Sequence, residues 1–107
     1  MCEWEIVSGD AVELLRTLDD ESVQLVVTSP PYPGQYGNGM TVVEWLAWAA
    51  GWMNLVRLKL APNGVMALNV QFKRTVDGWF DWRVFHLGNS SWWPLHLLDV
   101  YVWGKTN

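Results

Sequence analysis

The stretch that decides the fold of this chain is Val23-Gln24-Leu25-Val26-Val27-Thr28-Ser29-Pro30-Pro31-Tyr32. Its first six residues are mostly apolar, which predicts a parallel strand at 23–28 that is covered on both faces. The two prolines end this strand, because each fixes its φ angle and neither has an N–H to donate. Proline also holds the preceding residue, Ser29, in extended geometry. A rigid turn should therefore stand at the carboxyl end of the strand, where open α/β sheets bind ligands.

The residues before this stretch predict a short strand and a helix. A strand is expected at 4–8, with Ile6 and Val7 as its buried pair. Asp10 follows at a favourable N-cap position, and the apolar pattern over 11–18 is typical of an amphipathic helix. This opening unit leads through an acidic loop into the strand at 23–28.

The residues after the turn predict a long helix and a third strand. Apolar side chains recur at helical spacing over 41–60, and they include a band of tryptophans that should lie in the core. Pro62 and Gly64 should stop the helix, and 65–70 reads as another parallel strand. Strand, helix and strand in this order form a right-handed crossover. With a last strand at 97–103, the chain is predicted to be α/β, a doubly wound and mostly parallel sheet of about four strands.

Length and composition set the class of protein. A chain of 107 residues is expected to form one domain, residues 1–107, without a second. A net charge of −4 argues against strong binding to nucleic acid by the chain alone. The single cysteine, Cys2, excludes a disulfide framework and fits a reducing cytoplasm. No apolar stretch is long enough to predict a membrane span. With nine tryptophans and only 17% charged residues, part of the surface should be apolar and suited to a partner.

The region 71–96 has the weakest pattern. Its tryptophans lie among glycines and small polar residues, so loops are expected, with one short helix near 80–87. Lys73-Arg74 is either a phosphate contact or, as is more common for short basic pairs, a solvated polar face. His86 and His96 are ten residues apart with no cysteine nearby, so no metal site is expected.

The turn Ser29-Pro30-Pro31-Tyr32 after an apolar strand resembles the catalytic motif of the DNA amino-methyltransferases. Further segments resemble that family in the same order: an opening strand and helix at 6–15, the approach to the next strand at 57–65, and a strand at 98–107. Residues 71–95 match poorly. The resemblance implies part of a Rossmann-like methyltransferase sheet. It also implies methyl transfer from S-adenosylmethionine to the exocyclic amine of cytosine (N4) or, less favoured, adenine (N6) in DNA, the chemistry of restriction-modification systems.

The family resemblance assigns a role to each residue of the turn. The lone pair of an exocyclic amine is conjugated into the base, and acceptors at its two N–H bonds free it. Ser29 Oγ and the Pro30 carbonyl are the expected acceptors, and the Pro30-Pro31 unit holds them rigid. Tyr32 is expected to stack on the base once it has left the duplex, or else to be a structural tyrosine under the loop. Serine at position 29 favours cytosine, since the family's aspartate form favours adenine. Thiolate attack on the base is not expected, because the chain has no Pro-Cys pair.

The cofactor site is only partly accounted for. Asp10 is expected either to contact the adenine of S-adenosylmethionine or to act only as a helix cap. The glycine-rich loop at 33–39 either closes over the target base or is a passive linker. The family's Phe-x-Gly-x-Gly-like turn, which forms most of the cofactor pocket, is absent. We therefore expect the N-terminal part of a methyltransferase that needs a second chain, or a missing C-terminal region, for the cofactor motif. The alternative is a catalytically inactive remnant that serves as a protein-interaction module.

Overall fold

The computed structural model describes residues 3–32, 39–70, 73–75, 78–80, 95, 98–99 and 101. Its elements are, in chain order, α1 (Ala11–Arg16), β1 (Val23–Thr28), α2 (Val42–Lys59), β2 (Leu60–Leu68), β3 (Lys73–Thr75) and β4 (Gly78–Phe80). β1 and β2 form a parallel sheet, and β3 and β4 form a separate antiparallel pair. The α/β class is thus confirmed. The described residues do not form the single four-stranded doubly wound sheet that the sequence predicts.

The centre of the molecule is the unit β1–α2–β2. Leu25 of β1 lies opposite Val65 of β2, and the pairing continues in register to Thr28 and Leu68. This confirms the parallel pairing across a helical connection. β2 begins at Leu60, directly after α2 and earlier than predicted, and its register against β1 is irregular between Val23 and Leu25.

Gly64 lies in this irregular stretch of β2. A Cβ there would lie 2.8 Å from the carbonyl oxygen of Val23 and 3.0 Å from that of Ala61. Glycine is therefore required for the two strands to approach each other. The sequence predicts that Pro62 and Gly64 stop α2, and this prediction is wrong, because the helix has already ended at Lys59.

α2 confirms the helix predicted over 41–60. A capping box begins it: Thr41 Oγ1 accepts from the backbone N–H of Glu44, and the Glu44 carboxylate accepts from that of Thr41. The buried apolar side chains fall on one stripe of the helix: Trp45, Ala49, Met53 and Val56. Of the tryptophan band, only Trp45 is fully buried, whereas Trp48 is 40% exposed. Tertiary packing thus uses one edge of the band.

The core forms where α2 packs on one face of the sheet. Met66 and Leu68 of β2 contact the buried cluster of α2 side chains and Tyr32. On the opposite face, Leu25, Val27 and Val65 are all more than two-fifths exposed. The expectation that β1 is covered on both faces is therefore wrong within the described residues. Alternate residues of a strand point to opposite faces, and α2 covers only one of them.

The N-terminal segment differs from the prediction. Residues 4–8 are not a strand, and the supposed buried pair is exposed, with Ile6 at 85% and Val7 at 50%. A strand needs a neighbour for its backbone groups, and no described hydrogen bond joins 4–8 to the sheet. The helix that follows, α1, ends at Arg16, two residues earlier than predicted, where Thr17 caps it.

The end of the chain is described only in pieces. β3 and β4 occupy part of the region 71–96, where the sequence predicts loops and one helix. Of the strand predicted at 97–103, residues 98, 99 and 101 are described, and none lies in a strand. The loop at 33–38 and the proposed helix 80–87, apart from its first residue, lie outside the described residues. No helix in the described ranges is long and apolar enough to span a membrane.

Candidate active site

The turn Ser29-Pro30-Pro31-Tyr32 follows β1 directly, at its carboxyl end, as predicted. Its residues alternate in burial: Ser29 and Pro31 are exposed, whereas Pro30 and Tyr32 are buried. The ring of Tyr32, 7% exposed, joins the cluster formed with Trp45, Ala49 and Met53. The turn therefore presents a serine to solvent while an aromatic ring three residues later anchors it in the core.

A hydrogen-bond chain leads from the serine into the sheet. Ser29 Oγ lies 3.2 Å from Tyr32 Oη, which donates to the Asn69 carbonyl at 3.3 Å. A tyrosine hydroxyl has a single hydrogen, so while it donates to Asn69 it can only accept from Ser29. The serine oxygen then keeps a lone pair for another donor. Tyr32 can thus orient Ser29 as an acceptor.

Asn69 closes the same edge of the sheet. Its backbone N–H donates to the Thr28 carbonyl at 2.9 Å, which extends the pairing of β1 and β2 by one step. This places the end of β2 beside the turn, as parallel strands require. Sequence reasoning missed Asn69, because a backbone carbonyl contributes here and no side-chain pattern signals it.

Trp45 holds the turn from the helix side. Its indole Nε1 donates to the Pro31 carbonyl at 2.6 Å, and its ring is completely buried. The sequence places Trp45 in the core but does not predict this contact. The available signal was general: a buried tryptophan usually finds an acceptor for its N–H. Turn and helix are therefore joined by packing and by a hydrogen bond.

Asp10 is the N-cap of α1. One carboxylate oxygen, Oδ1, accepts from the backbone N–H of Val12 at 2.9 Å, and the residue is exposed. The predicted capping role is confirmed, and the predicted cofactor contact stays a prediction. No described hydrogen bond or ion pair joins Asp10 to the turn. The structure thus brings Ser29, Pro31 and Tyr32 together with Trp45 and Asn69, and it leaves Asp10 on a different element.

Within the described ranges, no group of three or more His, Cys, Asp or Glu side chains could hold a metal ion. Cys2, His86 and His96 lie outside the described residues, as do the side chains of Lys73-Arg74. One buried cation, Lys59, donates to the Leu18 carbonyl and to Asp20 at 2.7 and 2.8 Å. It ties the loop before β1 to the end of α2 and belongs to the scaffold.

Comparison with known proteins places this arrangement in a family. The DNA methylase family of N6 and N4 methyltransferases matches residues 23–107. The Type II methyltransferase M.MwoI of Methanothermobacter wolfeii is 29% identical over the whole chain, which covers 18% of that protein. M.PvuII of Proteus hauseri is 42% identical over 52% of the chain, and M.ScaI of Streptomyces caespitosus is 33% identical over 60%. These matches cover 18% and 22% of the two proteins.

The chain thus spans about a fifth of the length of the curated relatives that it matches. The family match covers most of the chain and begins at β1, so it includes the turn at the carboxyl end of that strand. The strand, the rigid turn and the crossover helix that anchors it are all within the matched region. This chain belongs to the DNA methylase family, the DNA amino-methyltransferases.

Proposed function

We propose that this chain supplies the catalytic turn of a DNA methyltransferase that methylates the N4 amine of cytosine. The observation that carries the proposal is the exposed Ser29 at the carboxyl end of β1, beside Tyr32, which is bonded to Asn69. An exposed acceptor on a firmly anchored turn suits a reaction that proceeds by positioning. The family and the names of its relatives, Type II methyltransferases, support DNA methylation within restriction-modification.

The chemistry depends on two acceptors. Ser29 Oγ accepts one N–H of the exocyclic amine, and the Pro30 carbonyl accepts the other. Both draw the nitrogen toward tetrahedral geometry, so its lone pair can attack. S-adenosylmethionine, if bound, would supply the methyl group: its methyl–sulfur bond would break as the nitrogen–methyl bond forms, and the amine would release one proton. Because prolines 30 and 31 have fixed φ angles, the acceptors need little reorganisation during the reaction.

Tyr32 has two candidate roles. Stacking on a flipped base requires an accessible ring face, and the ring is 7% exposed. The alternative is a structural tyrosine whose hydroxyl bonds Asn69 and whose ring fills the core. Tyr32→Ala removes the ring from both roles, so base capture is measured on protein whose folding has been checked by its melting temperature. Capture of the flipped base should weaken by about 1–3 kcal/mol if the ring stacks. Tyr32→Phe, which keeps the ring, should then retain most activity.

We propose that Asp10 forms only one part of the cofactor site. Asp10 keeps one carboxylate oxygen, Oδ2, outside its capping bond, and that oxygen fits a hydrogen-bond donor such as the adenine amine. A single carboxylate makes only the edge of a cofactor site. We therefore assign the rest to a second chain or to a C-terminal region. The share of each relative that the chain covers, about a fifth, is consistent with such a division.

The preference for cytosine rests on Ser29. In the resembling family, serine at this position accompanies cytosine and aspartate accompanies adenine. DNA binding by the isolated chain should be weak, because the net charge of −4 opposes phosphate contacts. We therefore expect no measurable methyl transfer by the purified chain alone. Labelled methyl transfer to duplex DNA by that chain would contradict this expectation.

A second candidate is an inactive remnant that acts as a protein-interaction module. The exposed apolar face of β1 and β2, with Leu25, Val27 and Val65, favours it. Calorimetry with S-adenosylmethionine distinguishes the two functions. A methyltransferase should bind the cofactor once the chain is joined to a cofactor segment, whereas a remnant should not bind it in either form.

The decisive experiment is a chimera in which residues 1–107 replace the matching segment of M.MwoI, whose match spans the whole chain. We expect methyl transfer to duplex DNA, with N4-methylcytosine as the product found by mass spectrometry of the digested DNA. Ser29→Ala should lower turnover by about 100-fold or more, by analogy with the loss of one preorganised donor. Full activity in both Ser29→Ala and Tyr32→Ala would disprove the site assignment.

A further inference from the structure

We infer that Trp45 is a positioning residue for the catalytic turn, and that its indole N–H acts by holding the Pro31 carbonyl. The inference rests on the proposed function, because it concerns how Ser29 and Pro30 are held for the amine. The carrying observation is the 2.6 Å hydrogen bond from Nε1 to that carbonyl, made by a ring with no exposed surface.

The backbone of the turn has few hydrogen-bond donors of its own. Pro30 and Pro31 have no N–H, so the backbone has no donor there to continue the pairing of β1. Among the described residues, two hydrogen bonds join the turn to other elements. Tyr32 Oη bonds the Asn69 carbonyl, and Trp45 Nε1 bonds the Pro31 carbonyl. The bond from Trp45 reaches a residue within the turn, Pro31, two residues after Ser29.

The bond also divides the acceptors of the turn. The indole N–H of Trp45 donates to the Pro31 carbonyl, whereas no described hydrogen bond reaches the Pro30 carbonyl. The indole thus leaves Ser29 Oγ and the Pro30 carbonyl, the two acceptors that the proposed function assigns to the amine, without a bond from Trp45. Trp45 thus helps to select which oxygens face the substrate, without touching it.

Trp45 is itself held by the start of α2. It lies in the first turn of the helix, where its backbone N–H bonds the Thr41 carbonyl at 2.9 Å. The capping box of Thr41 and Glu44 fixes that turn. The position of the indole, and through it that of Pro31, therefore depends on the helix start.

Trp52, on the same helix, shows that burial alone does not provide an indole with a partner. Its Nε1 is buried and has no hydrogen-bond partner in the described structure. The two side chains share the helix and the core, and they differ in whether an acceptor reaches the N–H. The chain thus offers a matched pair for testing the N–H of Trp45.

The test uses single variants of the chimera with M.MwoI. Trp45→Phe keeps an aromatic ring and removes the donor, Trp45→Tyr offers a hydroxyl donor on a ring of similar reach, and Trp52→Phe is the control. We expect Trp45→Phe to lower kcat by about 10- to 100-fold, the size of effect that slight misplacement of reacting groups produces. KM for DNA should change little. Trp45→Tyr should recover part of kcat, and Trp52→Phe should leave it unchanged.

Each outcome separates the inference from the proposed function. If Ser29→Ala lowers kcat and Trp45→Phe does not, the positioning role is wrong and the proposed function stands. If Ser29→Ala has no effect, the proposed function fails first. Equal losses in Trp45→Phe and Trp45→Tyr would show that only packing matters and would overturn the hydrogen-bond role.

Melting temperatures identify any variant that fails to fold. If Trp45→Phe fails to fold, the Trp45→Tyr variant decides the question. A folded Trp45→Tyr variant whose kcat is as low as that of Ser29→Ala would overturn the positioning role of the hydrogen bond.

Discussion

The two faces of the β1–β2 sheet are built from the same strands, but α2 covers one face and the other is exposed. On one face, Met66 and Leu68 pack under the stripe of α2 that contains Trp45 and Met53. On the other face, Val27 is 71% exposed. Parallel sheets are normally covered on both faces, so the described part of the chain carries one completed layer. The comparison indicates that stability, and the anchoring of the turn at 29–32, come from the α2 side.

The largest expected effect is on the covered face. Met53, 3% exposed, contacts the cluster that contains Tyr32 and Trp45. Met53→Ala should reduce the free energy of unfolding by about 2–5 kcal/mol, because it leaves a cavity under the helix. Urea unfolding measures it. The control is Val43→Ala on the solvent side of α2, where the side chain is 72% exposed, and it should change stability by less than about 0.5 kcal/mol. Equal losses would remove the contrast between the faces.

The next effect concerns the close approach of the strands. Gly64→Ala would place a Cβ 2.8 Å from the Val23 carbonyl oxygen, so backbone must shift. We expect a loss of about 1–3 kcal/mol, as for overpacked cores. Gly51→Ala is the matched control: it lies inside α2, and apart from the neighbouring residues and the helix's own backbone no heavy atom lies within 4 Å of its added Cβ. That change should stabilise the chain by roughly 0.5–1 kcal/mol. A stable Gly64→Ala would show that the two strands do not need this approach.

A smaller effect is expected at the unpaired indole. Trp52→Phe removes aromatic surface, which destabilises, and it also removes a buried N–H without a partner, which stabilises. The two should nearly cancel, leaving a change within about 1 kcal/mol in either direction. Trp45→Phe should be clearly more destabilising, because it leaves the Pro31 carbonyl unpaired. Thermal and urea unfolding of both variants give the difference. A larger loss in Trp52→Phe would contradict the role of the hydrogen bond.

The smallest effect is expected on the open face. Val27→Thr keeps the β-branched shape and places a hydroxyl where the side chain is 71% exposed. Stability should change by less than about 0.5 kcal/mol. A loss comparable to that of Met53→Ala would show that this face is covered in solution. Sedimentation of the same variant would then show whether a second copy covers it.

Local sequence signals predicted those parts of the fold whose cause is local. The apolar period over 41–60 predicts α2, because helix bonds join near neighbours. The strand at 4–8 failed, because a strand depends on a partner that the sequence pattern does not name. For the same reason, the described residues do not show the predicted sheet of about four strands. The apolar run at 23–28 indicated burial on both faces, but only packing decides which face α2 covers.

By itself, the sequence determined the rigid turn and its place after β1. Two prolines, an apolar run before them and a serine are local features, and their stereochemistry does not depend on the rest of the molecule. The tertiary structure alone decided what holds the turn. Trp45 is fourteen residues away from Pro31, and Asn69 is thirty-seven from Tyr32. Contacts at such separations arise only when α2 crosses the sheet and β2 ends beside β1, because chain closure and packing, not residue type, bring those groups together.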